Sequence, residues 1–299
     1  MSINSNLFNS NLLEALQEMS IATKTRQHIT SKPTQIGLSP LLSQINAAPY
    51  FEDKTKTFVL YKDDTLKLLP LIPDESIDMI FADPPYFLSN GGITCHAGKM
   101  VSVNKGKWDV SNGVEDNHLF NLRWLQQCQR ILKPNGTIWV SGTAHIIYSI
   151  GFAMQTLHYK ILNDIAWFKV NPPPNLSCRY FTHSTETILW AAKNQKSRHH
   201  FNYSLMKKLN NNKQMLSLWH IKPPEPPEKK YGKHPTQKPM KLLERIIQAS
   251  TKKGDLVLDP FNGSGTTGLQ AYLQGRNYIG IDSEKEYLDL AKKRFKDIS

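Results

Sequence analysis

The feature that most constrains this chain is an alternation. From Thr57 onward, short apolar runs closed by turn residues take turns with longer segments of helical period. TFVLYKDD, IDMIFADPP, TIWVSG, ILNDIAWFKV, ETILWAAK, DLVLDPF and NYIGID read as strands. EDNHLFNLRWLQQCQRILK, HIIYSIGFAMQTL, PMKLLERIIQAS, GTTGLQAYLQ and KEYLDLAKKRF read as helices, the first of them stopped by Pro134-Asn135-Gly136. Strands alternating with helices imply an α/β fold with a doubly wound, mostly parallel sheet. Such sheets bind ligands at the carboxyl ends of their strands, so the strand ends are where chemistry is to be sought.

Two stretches break the rhythm. Residues 87–110 are expected to form a flexible loop, and 194–233 a basic insertion with interleaved aromatics and a Pro-rich end. Residues 1–50 read as a loosely ordered N-terminal extension, with one short amphipathic helix around Leu12, Leu13, Leu16 and Met19. The main domain spans 51–299. Lys and Arg outnumber Asp and Glu by 37 to 25, for a formal net charge of +12. A protein this basic commonly meets a polyanion, with nucleic acid first on the list, although a solvated basic surface has the same composition. Cys95, Cys128 and Cys178 form no CxxC pair and have no His/Cys metal spacing. A disulfide framework and a metal site are therefore not expected, and a cytoplasmic setting fits. No stretch is long enough to span a bilayer.

The strand SIDMIFA ends in Asp83-Pro84-Pro85-Tyr86. The two prolines stiffen the exit and remove two N–H groups, so carbonyls dominate the backbone there. A carboxylate, a rigid carbonyl and an aromatic ring are thus held at a strand end. A second strand end carries LDPFNGSGTTGLQA, in which Gly263 and Gly265 permit a sharp turn and close backbone approach. Thr266 and Thr267 could cap or start the helix that follows. The next strand ends at Asp282, an acid placed to hold ribose hydroxyls. There is no GK[ST] for a triphosphate and no basic residue inside the loop, which favours an adenosine cofactor without phosphates.

DPPY at 83–86 and DPFNGSG at 259–265 together resemble the catalytic and S-adenosylmethionine motifs of DNA amino-methyltransferases. HPTQKPMKLLERII at 234–247 resembles the helix-entry motif that precedes the cofactor strand. The catalytic motif comes first and the cofactor motif last, the order of the β class, and the likeness covers about 57–299. IFADPPYFLSNGG, NPPPNLSCRYFTHSTETILWAAK and KHPTQKP narrow it to the accessory adenine methyltransferases of GATC-specific restriction-modification systems.

The resemblance implies a Rossmann-like methyltransferase domain over 51–299, with 194–233 as its target-recognition insertion. It also implies methyl transfer to N6 of adenine in GATC, on single- as well as double-stranded DNA. Asp83 and the Pro84 carbonyl would each accept one N–H of the amine, Pro85 would stiffen the turn, and Tyr86 would stack on the flipped base. The cofactor would lie against Asp64 (or its neighbour Asp63), Asp83, Asp259, Pro260, Phe261, Gly263, Ser264, Gly265, Thr266 and Asp282. Thr236 and Lys238 would hold its methionine carboxylate region. For Lys238 the plain alternative is a surface lysine at a helix start; for Asp63 and Asp64 it is a helix cap. Arg179, Lys193, Arg198, Lys207, Lys208 and Lys213 are candidates for phosphate contacts. His145, His183 and His234 read as structural. A homodimer and a cognate endonuclease are the protein partners that such systems suggest. Rival readings are an N4-cytosine enzyme on the same fold, an RNA substrate, and a non-catalytic nucleic-acid binder.

Overall fold

Runs in which nearly every residue is apolar suit a strand covered on both faces, and FVLYK and IDMIFA become such strands. The computed structural model describes residues 38–89, 93–96, 99–102, 109–172, 174–175, 177–232 and 234–299. Its strands are β1 (Phe51–Glu52), β2 (Phe58–Lys62), β3 (Ile77–Ala82), β4 (Ile93–His96), β5 (Lys99–Ser102), β6 (Leu132–Gly142), β7 (Lys160–Phe168), β8 (Thr185–Ala192), β9 (Leu218–His220), β10 (Leu256–Asp259) and β11 (Asn277–Asp282). Its α-helices are α1 (Leu38–Leu42), α2 (Thr65–Leu68), α3 (Val114–Ile131), α4 (Ile147–Thr156), α5 (Tyr203–Leu209), α6 (Met240–Ser250), α7 (Thr266–Leu273) and α8 (Lys285–Lys296).

Among the described residues, nine strands form one sheet in the order β1-β2-β11-β10-β3-β6-β8-β7-β9. The five central strands from β2 to β6 are parallel, and β8 runs antiparallel between β6 and β7. Period-two alternation assigns the faces. Val59, Tyr61, Ile80 and Val140 face α3 and α4, whose Leu122, Trp124, Leu125, Ile150 and Met154 cover them. Phe58, Leu60, Met79, Phe81 and Trp139 face α6, α7 and α8. Both layers are closed, as a doubly wound fold requires.

Chain order reverses between β10 and β3. From β10 the chain moves through α7 to β11 on one side, and from β3 it moves through α3 to β6 on the other. Their register, Val257 opposite Met79 and Leu258 opposite Ile80, brings the carboxyl ends of the two strands side by side. This is the crevice where doubly wound sheets bind ligands.

Three local expectations change. Helix α3 ends at Ile131 and β6 begins at Leu132, so Pro134-Asn135-Gly136 lies inside a strand segment and is not a helix stop. The carbonyls there are used: Leu132 O accepts from Lys193 Nζ (2.6 Å), and Pro134 O from Ser197 Oγ (2.6 Å). Of 87–110, β4 and β5 pair as two antiparallel strands. Of 1–50, the segment from Leu38 packs on the core, with Leu38, Leu41 and Ile45 buried. The amphipathic helix expected around Leu12–Met19 lies outside the described residues.

The basic insertion is also placed by the sheet. Arg198 N–H donates to Asn135 Oδ1 (2.8 Å) and Asn202 N–H to Ala249 O (2.8 Å). Both partners lie at the end of the sheet opposite the β10–β3 crevice, so the basic stretch 194–214 starts away from it. Lys193 is tied down by Glu75 (2.9 Å) and by Leu132 O, which removes it from the phosphate candidates. The chain returns toward the crevice along β9, which runs parallel to β7.

Candidate active site

The strand ends at and beside the switch point deliver a group of carboxylates to one cleft. Asp83 follows β3, Asp259 closes β10, Asp282 closes β11 and Asp64 follows β2. The cleft encloses about 980 Å³ including its open mouth. Asp63, Asp64, Asp83, Pro85, Thr236, Lys238, Asp259, Pro260, Phe261, Gly263, Ser264, Thr266 and Asp282 line it. Pro84, Tyr86 and Gly265 are not on its wall.

The glycine turn is held from behind. Gly265 sits at φ +75°, and a Cβ there would lie 2.7 Å from Ala291 Cβ. It is the N-cap residue of α7, and Thr266 and Thr267 start that helix and do not cap it. Instead Thr267 Oγ1 donates to Asp259 Oδ2 (2.6 Å), and Arg294 Nη1 binds Ser264 O (2.6 Å) and Thr266 Oγ1 (3.0 Å). Gly268 completes a G-x-G-x-x-G spacing and packs as its third glycine would, since a Cβ there would stand 2.4 Å from Tyr278 and 2.6 Å from Phe58. The loop is nevertheless ill suited to a phosphate. Gly263 N–H is taken by Asp282 Oδ2 (2.7 Å) and Gly265 N–H by Asn262 O (2.9 Å).

Burial pushes the Asp259 carboxyl up to about 7, against the bonds from Thr267 and the Phe261 N–H. Burial likewise pushes Asp282 up to about 6. Acids held at such values lack a cationic partner. A ligand bearing a sulfonium and an ammonium supplies positive charge where these carboxylates lack it, so the lining fits S-adenosylmethionine. Asp64 does two jobs: its Oδ1 caps α2 through Leu66 N–H (2.8 Å) while the residue faces the cleft. His234 reaches the wall beside Gly263 and packs edge-on against Tyr287, with ring centroids 4.2 Å apart.

Beside the cleft lies a buried charge cluster that sequence reading missed in part. Lys238 Nζ donates to Asp83 Oδ2 (2.6 Å) and to Tyr86 Oη (3.2 Å). Tyr86 Oη donates to Asp83 Oδ1 (2.7 Å). Glu186, at the start of β8, stands 3.6 Å from Lys238 Nζ and is itself paired with Lys169. Two carboxylates thus face two ammonium groups. Burial raises the Asp83 pKa, with Lys238 opposing and Glu186 adding to the rise. Burial opposes the charge on Lys238, but Asp83 and Glu186 outweigh it and hold its pKa above the usual lysine value. Lys238 is only 6 % exposed, which removes the surface-lysine alternative. Tyr86 is 5 % exposed and turned onto Asp83, so in this conformation it orients the carboxylate and does not offer a ring face to a base.

Asp109 was also missed; its only signal is a lone acid closing the polar loop. It is fully buried and accepts the N–H groups of Tyr86 (2.8 Å), Phe87 (2.7 Å) and Leu88 (3.2 Å), and the Ser89 hydroxyl (2.8 Å). It pins the chain that leaves DPPY. Asp109→Ala strands those donors and is expected to cost about 2–4 kcal/mol of stability, read as a lower urea midpoint at unchanged slope. It should also lower methyl transfer more than cofactor binding, because the acceptor loop loses its anchor.

Comparison with known proteins agrees with this geometry. A family model described as DNA methylase matches residues 77–293. The chain is 60 % identical over 247 residues to the type II methyltransferase M2.LlaDCHI of Lactococcus lactis subsp. cremoris, covering 82 % of this chain and 91 % of that one. It is 59 % identical to the type II methyltransferase M2.DpnII of Streptococcus pneumoniae over the same shares of the two chains. The crystal structure of the M1.HpyAVI–SAM complex superposes with a TM-score of 0.59 at 32 % identity, covering 79 % of this chain and 97 % of that one. The matched region 77–293 contains the ends of β3, β10 and β11 that form the cleft, and the chain belongs to the DNA methylase family.

Proposed function

We propose that this protein methylates N6 of adenine in DNA within 5′-GATC-3′, on single as well as double strands, as the modification arm of a type II restriction system. The observation that carries it is the Asp83 carboxylate, 12 % exposed on the wall of the cofactor cleft at the switch point of the sheet. S-adenosylmethionine supplies an electrophilic methyl group when bound. Asp259, Asp282, Asp64 and the Phe261–Ser264 turn would hold it, together with Thr236 on the cleft wall.

The adenine amine is a weak nucleophile because its lone pair is delocalised into the ring. The Asp83 carboxylate accepts one of its N–H groups and the Pro84 carbonyl the other, which favours a pyramidal nitrogen aimed into the cleft. Positioning and fixed electrostatics then do most of the work. Lys238 and Tyr86 orient Asp83, and Glu186 and Lys169 balance their charge. The base must leave the helix to reach Asp83. A restriction endonuclease with the same target is the partner that this activity implies, and the cytoplasm is its setting. Among the described residues no helix is long and apolar enough to cross a membrane.

The test is incubation with methyl-labelled S-adenosylmethionine and oligonucleotides carrying GATC or a scrambled site, followed by nucleoside analysis. Label in N6-methyl-2′-deoxyadenosine that depends on GATC is expected. Label in N4-methylcytosine, or only in RNA, overturns the substrate assignment and leaves the enzyme class.

A further inference from the structure

On the reading that the target base is extruded from a duplex, we infer that residues 177–184 of the loop leading into β8 are the strand-opening element and that Phe181 is its wedge. Two anchors fix this loop at the catalytic end of the sheet. Phe168 pairs with Thr185, and Lys169 N–H donates to Ser184 O (2.8 Å). Its feet are Lys169 and Glu186, the ion pair that joins the Asp83 cluster, and Glu186 Oε2 lies 3.5 Å from Tyr86 Oη. The loop therefore rises from the rim of the acceptor site itself.

Its tip is unlike the rest of the surface. Phe181 is 96 % exposed, more than any other large apolar side chain among the described residues, and Tyr180 beside it is 60 % exposed. Leaving a phenylalanine wholly in water forgoes about 2–3 kcal/mol of burial. With Tyr180 beside it the loop exposes two adjacent aromatic rings, and contiguous exposed apolar surface marks interaction sites. The tip is braced internally. Asn175 Nδ2 donates to Tyr180 O (2.6 Å), and Asn175 Oδ1 accepts from the Ser177 N–H (3.1 Å) and hydroxyl (2.8 Å). The rings of Tyr180 and His183 pack with centroids 5.4 Å apart.

The occupant follows from chemistry and place. Arg179 is exposed next to the tip and presents a cation for phosphate. Phe181 is not on the wall of the cofactor cleft, so its partner is not the cofactor. A base drawn out toward Asp83 leaves an apolar gap between its former neighbours, and apolar wedges fill such gaps in kinked or opened DNA. The basic stretch 194–214, with Arg198 near its start, begins at the far end of the sheet and is poorly placed for this task.

The experiment compares the full-length wild type with Phe181→Ala and Phe181→Trp on matched GATC oligonucleotides, single-stranded and duplex, using labelled S-adenosylmethionine. Phe181→Ala is expected to lower kcat/KM on duplex by about 10–100-fold, while the single-strand rate stays within about threefold. Phe181→Trp should restore most duplex activity. With 2-aminopurine as the target base, Phe181→Ala should lose the fluorescence rise that accompanies extrusion from duplex. Equal losses on both substrates, or none on either, overturn the wedge, as does a wild type active on single strands alone. A changed oligomeric state in Phe181→Ala would assign the tip to a protein interface and overturn it too. A wild type that labels no adenine sinks the proposed function first, and the wild-type lanes show this separately.

Discussion

Asp83→Ala loses methyl transfer by about 10³-fold or more, equivalent to about 4 kcal/mol of transition-state stabilisation, yet it still binds S-adenosylmethionine within about tenfold of wild type. The variant folds because Lys238 keeps Glu186 as a charged neighbour, 3.6 Å away. The cofactor retains Asp259, Asp282 and Asp64 on its wall. Single-turnover transfer and calorimetric titration of the cofactor separate the two quantities. A variant that keeps most of its transfer rate would remove Asp83 from the mechanism.

Lys238→Met has the second large effect, and it pulls activity and stability in opposite directions with pH. Without the ammonium, Asp83 and Glu186 share the Tyr86 hydroxyl at 2.7 and 3.5 Å with Lys169 as the cation remaining beside Glu186. The Asp83 pKa, already raised by burial, rises further because the group that opposed the rise is gone. Accepting an N–H of the amine needs the ionised carboxylate, so the acid limb of the rate profile moves to higher pH. Activity at pH 7 falls by about 100-fold and partly recovers as pH increases. Stability runs the other way. The native state binds a proton that the unfolded chain, with an ordinary carboxylate, has already released, so stability is greatest at low pH and is lost as pH rises through the folded pKa. Breaking the buried pair costs about 3 kcal/mol or more in addition. A pH profile unshifted from wild type would show that Lys238 does not govern Asp83.

Much of this was legible in the sequence because two signals are local. Apolar runs ending in DPPY and DPF announce buried strands with functional ends, and each landed where its spacing placed it. Asp282 and the glycine turn follow from the same strand–turn–helix logic. What stayed illegible is held by contacts distant in sequence. Lys238 lies 155 residues from Asp83, so nothing near HPTQKP shows that its ammonium meets that carboxylate. Glu186 sits inside a strand that reads as a simple apolar run, and its role appears only when β8 pairs with β6. Asp109 serves backbone N–H groups more than twenty residues away, a task with no signature in composition. The course of the basic stretch was hidden for a different reason. Net charge is compatible with a polyanion partner, but only topology says at which end of the sheet the stretch begins.

The strand order carries a consequence for how the molecule comes into being. β10 and β11 are the last strands in the chain, yet they occupy the middle of the sheet, between β2 and β3. During synthesis β2 and β3 are made early and wait with open edges, since the strands that join them do not yet exist. A product broken off before Leu256 lacks the centre of its sheet and not a margin. Its two unpaired edges are templates for aggregation. The cleft, which draws on residues from Asp63 to Tyr287, is likewise absent until Tyr287 has emerged. Until β10, β11 and Tyr287 have been made, the chain therefore carries open strand edges and no complete cleft.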